Sequence, residues 1–197
     1  MATSDPHAMQ LLGIVIVLAV IAIAGWLAWQ RNQSRRLEHR FGTEYHRTVG
    51  TLGSRAKAEA ELRTREKRVE RLHIVPLQPA QAAEFARRWE ALQARFVDDP
   101  RGVLAEADRL VREVMLQRGY PMADFEARAA DISVDHPAVV DHYRAAQAIL
   151  MRNQPGQAVD TEDLRQAVVH YRALFNELLE VQRPAPASTT QPMEKRS

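Results

Sequence analysis

Hydrophobic and polar positions divide the chain into three unlike stretches. Residues 11–29, LLGIVIVLAVIAIAGWLAW, carry no charged, amide or hydroxyl side chain. As a helix this run is about 28 Å long, close to the ~30 Å hydrocarbon core of a bilayer. From 30 to 73 the apolar positions thin to a narrow helical stripe. Leu37, Phe41, Tyr45 and Val49 recur every fourth residue, then Gly50 and Gly53 interrupt. Ser54 is placed to cap a helix carrying only Ala58, Leu62, Val69 and Leu72 on its apolar side. So thin a stripe predicts a largely solvated helix, or a coiled-coil-like pairing with a second copy.

From 80 to 182 the apolar positions broaden again, with helical spacing throughout. Phe85, Trp89, Leu92 and Phe96 share one face. Asp99 and Pro100 open a helix with Val103, Leu110 and Val114 that stops at Gly119. A shorter helix is expected over 123–130, and another opening at Asp135 and Pro137 that carries Tyr143. Thr161 is expected to cap the last helix, whose wide face holds Leu164, Val168, Tyr171, Leu174, Phe175 and Leu178. Runs of alternating apolar residues are too short to build a sheet. The sequence thus predicts an all-α chain. Its parts are a short flank (1–10), a transmembrane helix (11–29), a charged helical stalk (30–73), a compact helical bundle (80–182) and a disordered Pro/Ser/Thr-rich tail (183–197).

The apolar run admits two readings. Ala22, Ile23 and Ala24 have the small-x-small spacing of a signal-peptidase site, which would put the domain on the envelope side or release it. A cleavable signal has a shorter apolar region, about 7–15 residues, after a basic start. Here no Lys or Arg precedes the run. Trp26 and Trp29 close it, where indoles favour the headgroup layer, and Arg31, Arg35 and Arg36 follow. An uncut single-pass anchor in the inner membrane fits better. Its N-terminus would lie outside and its C-terminal domain in the cytoplasm.

Charge sharpens the division. Residues 31–72 hold twelve Lys/Arg against six Glu, while 80–182 hold twelve Arg against seventeen Asp/Glu. The overall +2 therefore hides a basic stalk and an acidic bundle. Interleaved glutamates and the lack of stacking aromatics argue against nucleic acid as a partner. They suit i, i+4 ion pairs such as Glu61 with Arg65, and membrane-proximal arginines touching anionic headgroups.

The segments RFGTEYHRTV, RFVDDP, QRGYP, VDHPAVVDHYRAA and TEDLRQAVVHYRALF together resemble an uncharacterised bacterial family of single-span membrane proteins with a helical C-terminal domain. The resemblance covers nearly all of the chain after the run. It implies anchored helical architecture and assigns no functional residue.

Candidate chemistry is sparse. With no cysteine, disulfides, thiolate catalysis and Cys-based zinc sites drop out. Phosphate-cradling glycine motifs and a nucleophile elbow are missing from the sequence. The remaining candidates for metal or acid–base chemistry are Asp135, His136, Asp141 and His142, with His170. Six residues separate His136 from His142, so they point to different helix faces. A capping Asp135 and a surface His142 explain them without chemistry. HYRA occurs at 142–145 and again at 170–173. It fits a duplicated hairpin, two similar His/Arg anion sites, or two core-edge tyrosines. The expected function is a membrane-tethered interaction module without catalytic activity or cofactor. It would touch lipid through one span and bind a partner protein or a second copy. The alternatives are an envelope-side domain and a metal- or anion-binding domain.

Overall fold

The structure, a computed structural model, describes residues 6–153 and 159–179, with residues 6–16 described by backbone alone. Every regular element among the described residues is a helix, eight in all. The expected tail at 183–197 lies outside the described residues. The chain divides into two compact units, Met1–Lys67 and Arg68–Ser197.

The first unit begins with α1 (Pro6–Phe41), which carries the apolar run without a break into the charged region. It ends at Gly42, whose φ of 52° is left-handed and costs most residues conformational energy. The expected break at Gly50 does not occur. α2 (Thr43–Leu52) runs through Gly50 and ends at Gly53, φ 62°. α3 (Arg55–Val69) follows. The stripe that looked too thin for a core is enough for one. Ala58 and Leu62 are fully buried with Leu37, Phe41 and Tyr45. Ser34 hydrogen-bonds Glu59, and Arg40 pairs with Glu66 at 2.9 Å, so α3 runs alongside the end of α1 in the same direction.

Two buried carboxylates complete that packing. Glu44, 1 % exposed, receives Arg65 at 3.0 Å, and Arg65 also donates to Glu61 at 3.0 Å. Glu59 accepts from the Tyr45 hydroxyl at 3.0 Å, from Arg55 at 3.1 Å and from Arg63 at 3.3 Å. Burial pushes the Glu59 carboxyl up, but donors from Ser34, Tyr45 and Arg55 outweigh it and hold the group below its usual value. A buried carboxylate is tolerable when donors satisfy it in this way.

The second unit is a helical bundle. α4 (Pro79–Ala94) carries the face of Phe85, Trp89 and Leu92. Gln78 and Gln81 form a reciprocal capping box, and Pro79 takes the first helical position, where its missing N–H costs nothing. α5 (Pro100–Arg118) is capped by Asp99, whose side chain accepts from Gly102 N at 2.9 Å. α6 (Phe125–Asp135) runs five residues past its expected end, because Ile132 and Val134 are buried. α7 (Pro137–Arg152) and α8 (Thr161–Leu178) close the bundle. Thr161 is not the cap; Asp160 holds that position and makes no side-chain cap bond.

Contacts fix the order of the bundle. Arg88–Glu113 and Arg95–Glu106 make α4 and α5 antiparallel. Arg128–Tyr143 and Arg144–Glu126 do the same for α6 and α7, as Arg152–Asp163 and His136–Glu177 do for α7 and α8. Arg118 donates to the Leu178 carbonyl and Tyr171 to Asp108, so α5 and α8 lie parallel at the centre. The core holds Trp89, Leu92, Leu110, Val114, Tyr143, Leu164, Val168, Tyr171, Leu174, Phe175 and Leu178, each under a tenth exposed. Phe85 and Phe96 are only partly buried against it.

Gly119 shows why α5 stops where it does. Its φ is +96°, and a Cβ there would sit 2.5 Å from the His73 carbonyl oxygen. Gly119→Ala is therefore expected to destabilise the second unit by about 1–3 kcal/mol, read as a lowered melting temperature. An unchanged melt would mean that this turn is not held as described.

Among the described residues, no helix is long and apolar enough to cross a membrane. The expected span at 11–29 is therefore not identified there. Residues 11–16 lie outside those whose side chains are described, and 17–29 alone would cover only about 20 Å.

Candidate functional site

The structure separates the histidine candidates. His136 follows α6 and is 6 % exposed, with Nδ1 3.0 Å from Glu177 Oε1 on α8. Asp135 is the last residue of α6 and does not cap α7; His136 holds the cap position and makes no side-chain cap bond. His142 goes elsewhere, with Nδ1 2.8 Å from Nδ1 of His170. Among the described residues, no three His, Cys, Asp or Glu side chains converge as a metal site requires. Asp135, His136, Asp141, His142 and His170 do not form one centre.

HYRA has a structural meaning that its spacing did not reveal. α7 and α8 are antiparallel neighbours, and the two copies face each other across the hairpin. His142 lies against His170, with ring centroids 5.1 Å apart, and Tyr143 against Tyr171 at 6.3 Å. The arginines are not disposed alike: Arg144 pairs with Glu126 at 2.6 Å, and Arg172 is exposed. The two His/Arg anion sites are therefore not equivalent.

A 2.8 Å contact between two imidazoles needs one Nδ1–H to donate to a neutral partner. Burial, and then the His142 charge, depress the His170 pKa. A depressed folded pKa favours the neutral ring. The stability it contributes is thus fully present above the unfolded pKa of about 6.5 and is lost as pH falls from there through the folded value. The melting temperature should fall between about pH 7 and pH 5, and His142→Asn should flatten that slope. An equal slope in the variant would remove the pair as its cause.

Deeper on the same helices lies a polar contact that the spacing did not suggest. The Tyr171 hydroxyl meets Asp108 Oδ1 at 3.0 Å and Gln147 Oε1 at 3.2 Å, all within the core. Nothing in the sequence marks Asp108 as buried, since it stands among the charged residues of α5. Burial and the nearby Asp108 carboxylate push the Tyr171 phenol far up, so it stays a neutral donor.

The third candidate region is the exit of the apolar run. From Val17 onward its large side chains are exposed, including Trp26 at 57 % and Trp29 at 62 %. The next turns bear Arg31, Arg35 and Arg36, all exposed. Arg31 and Arg35 border a groove of about 610 Å³ between α1 and α3, whose other wall carries Arg55 and Arg63. The sequence placed Arg31 and Arg35 at this end of the run. It did not reveal that Arg55 and Arg63 return to the same place, because that requires the α2 turn to fold the chain back.

Comparison with protein-family models, with curated proteins and with solved structures finds no match to this chain.

Proposed function

We propose that the chain is a membrane-tethered helical module that presents its bundle to a protein partner or a second copy. The observation that carries this reading is the exposed apolar surface of α1. Val17, Leu18, Val20, Ile21, Ile23, Trp26, Leu27 and Trp29 are each 45–62 % exposed. A helix apolar on every side is stable only when something other than water covers it. The composition of 11–29, which lies wholly within α1, suits lipid as that cover. The arginines that follow favour a cytoplasmic C-terminal side, and the tryptophans suit the headgroup layer.

The first unit would then act as a short folded base next to the bilayer, and the acidic second unit as the part available to partners. The reading assigns no catalysis. Crosslinking of the full chain in native membranes tests the interaction half. A discrete crosslinked species of fixed mass, made with a partner or with itself, is the expected result. Only uncrosslinked chain, at reagent levels that crosslink other membrane proteins, would count against it.

A further inference from the structure

We propose that the groove between α1 and α3 binds the phosphate of an anionic phospholipid headgroup; this rests on the membrane-tether reading above. Arg31, Arg35, Arg55 and Arg63 line it against only Glu38 and Glu59. Glu59 is already committed, receiving Tyr45, Arg55 and Arg63. Glu38 faces His46 at 3.7 Å. Arg31 and Arg35 have no ion pair among the described residues, although they stand one helical turn apart on the same face. Like charges at that spacing repel. An anion between them relieves the repulsion, and the planar fork of a guanidinium suits phosphate oxygens.

The position points to lipid as the source. Leu27 forms part of the same groove, so its apolar lip continues into the exposed run that carries Trp26 and Trp29. A headgroup seated among the arginines would leave its acyl chains beside that apolar surface. The volume, about 610 Å³, lies in the range of ligand clefts and well above what a single ion needs. Glu59 has a second role here, since its bonds to Arg55 and Arg63 hold the α3 wall of the groove.

The native tryptophans supply the probe. Trp26 and Trp29 stand exposed on the apolar run just before the groove's arginines, while Trp89 is 4 % exposed in the core and out of reach of lipid. The full chain is reconstituted in phosphatidylcholine vesicles containing a small fraction of brominated phosphatidylglycerol or, separately, brominated phosphatidylcholine. Brominated phosphatidylglycerol should quench preferentially, with an apparent preference of about fivefold per engaged arginine. Arg31→Gln/Arg35→Gln should lose it. Arg47→Gln/Lys57→Gln removes the same charge from exposed positions outside the groove and should keep it. Equal loss in both double variants would mean diffuse attraction and overturn the groove. So would no preference in the native chain. If inorganic phosphate stabilised the detergent-solubilised chain while no lipid preference appeared, the anion would be free phosphate and the lipid assignment would fall. Quenching by neither lipid would instead sink the tether itself, and this inference with it.

Discussion

Trp89→Ala should destabilise the second unit by about 3–5 kcal/mol, the largest loss expected from a single side chain. Trp89 is 4 % exposed and stacks on Phe175, with centroids 4.6 Å apart and planes 23° from parallel. That stack ties α4 to α8, so truncation opens a cavity at a helix–helix contact and removes an aromatic pairing. Domains of this size are stable by only about 5–15 kcal/mol, so the variant should melt roughly 10 °C or more below the native chain. Trp89→Phe keeps the stack and removes an indole N–H that has no partner among the described residues. It should cost much less. Thermal denaturation of both variants decides the matter. Equal melting of Trp89→Ala and the native chain would mean that α4 does not pack as described.

Asp108→Ala should come next, at about 2–4 kcal/mol. Asp108 is 6 % exposed, accepts from Tyr171 at 3.0 Å and pairs with Arg112 at 2.8 Å. Without it, the fully buried Tyr171 hydroxyl keeps only Gln147, at 3.2 Å. The Arg112 side chain is 43 % exposed and can turn to water, which keeps the cost below that of a fully buried pair. Asp108→Asn preserves an acceptor and should cost about 1 kcal/mol. Tyr171→Phe removes the donor at a similar small cost. A double-mutant cycle between Asp108→Ala and Tyr171→Phe should then show coupling of about 1 kcal/mol or more. Strict additivity would mean that the contact contributes nothing to the fold.

These two sites differ in how far the sequence revealed them. The spacing of Trp89 and Leu92 lies along one helical face, and an apolar face of that kind is legible because burial of large side chains dominates the energetics. The all-helical class followed from the same signal, while the end of α5 was legible from Gly119 itself. Asp108 was not legible, since a charged residue on an amphipathic helix reads as solvated until its neighbours are known. Glu44 and Glu59 were hidden for the same reason. In the first unit a few apolar residues and two buried carboxylates paired with arginines do the packing that a broad apolar stripe does elsewhere.

Glycine shows the limit of local signals. The stripe from Leu37 to Val49 runs through Gly42 and points to breaks at Gly50 and Gly53, yet of these three glycines Gly42 and Gly53 take positive φ, and Gly50 sits inside α2. Which glycine breaks the chain depends on where Tyr45 and Thr48 must be buried. The Asp-His candidates teach the converse. Proximity in sequence suggested one centre, but a helix boundary at His136 sends its ring to Glu177 and leaves His142 to meet His170. The matching HYRA segments meet because α7 and α8 form an antiparallel hairpin, a fact of topology and not of spacing.

The claim on which the functional account rests is that α1 anchors the chain with its C-terminal side in the cytoplasm. The most direct measurement fuses two reporters in turn after Ser197, a fluorescent protein that matures only in the cytoplasm and an enzyme active only outside it. The N-terminal mass of the membrane-extracted chain is read alongside. The account predicts fluorescence, an inactive enzyme and an apolar run that remains attached. An active external enzyme, or a chain beginning at Gly25, would contradict it. The Ala22-Ile23-Ala24 spacing would then mark an export signal, and partners would have to be sought in the envelope.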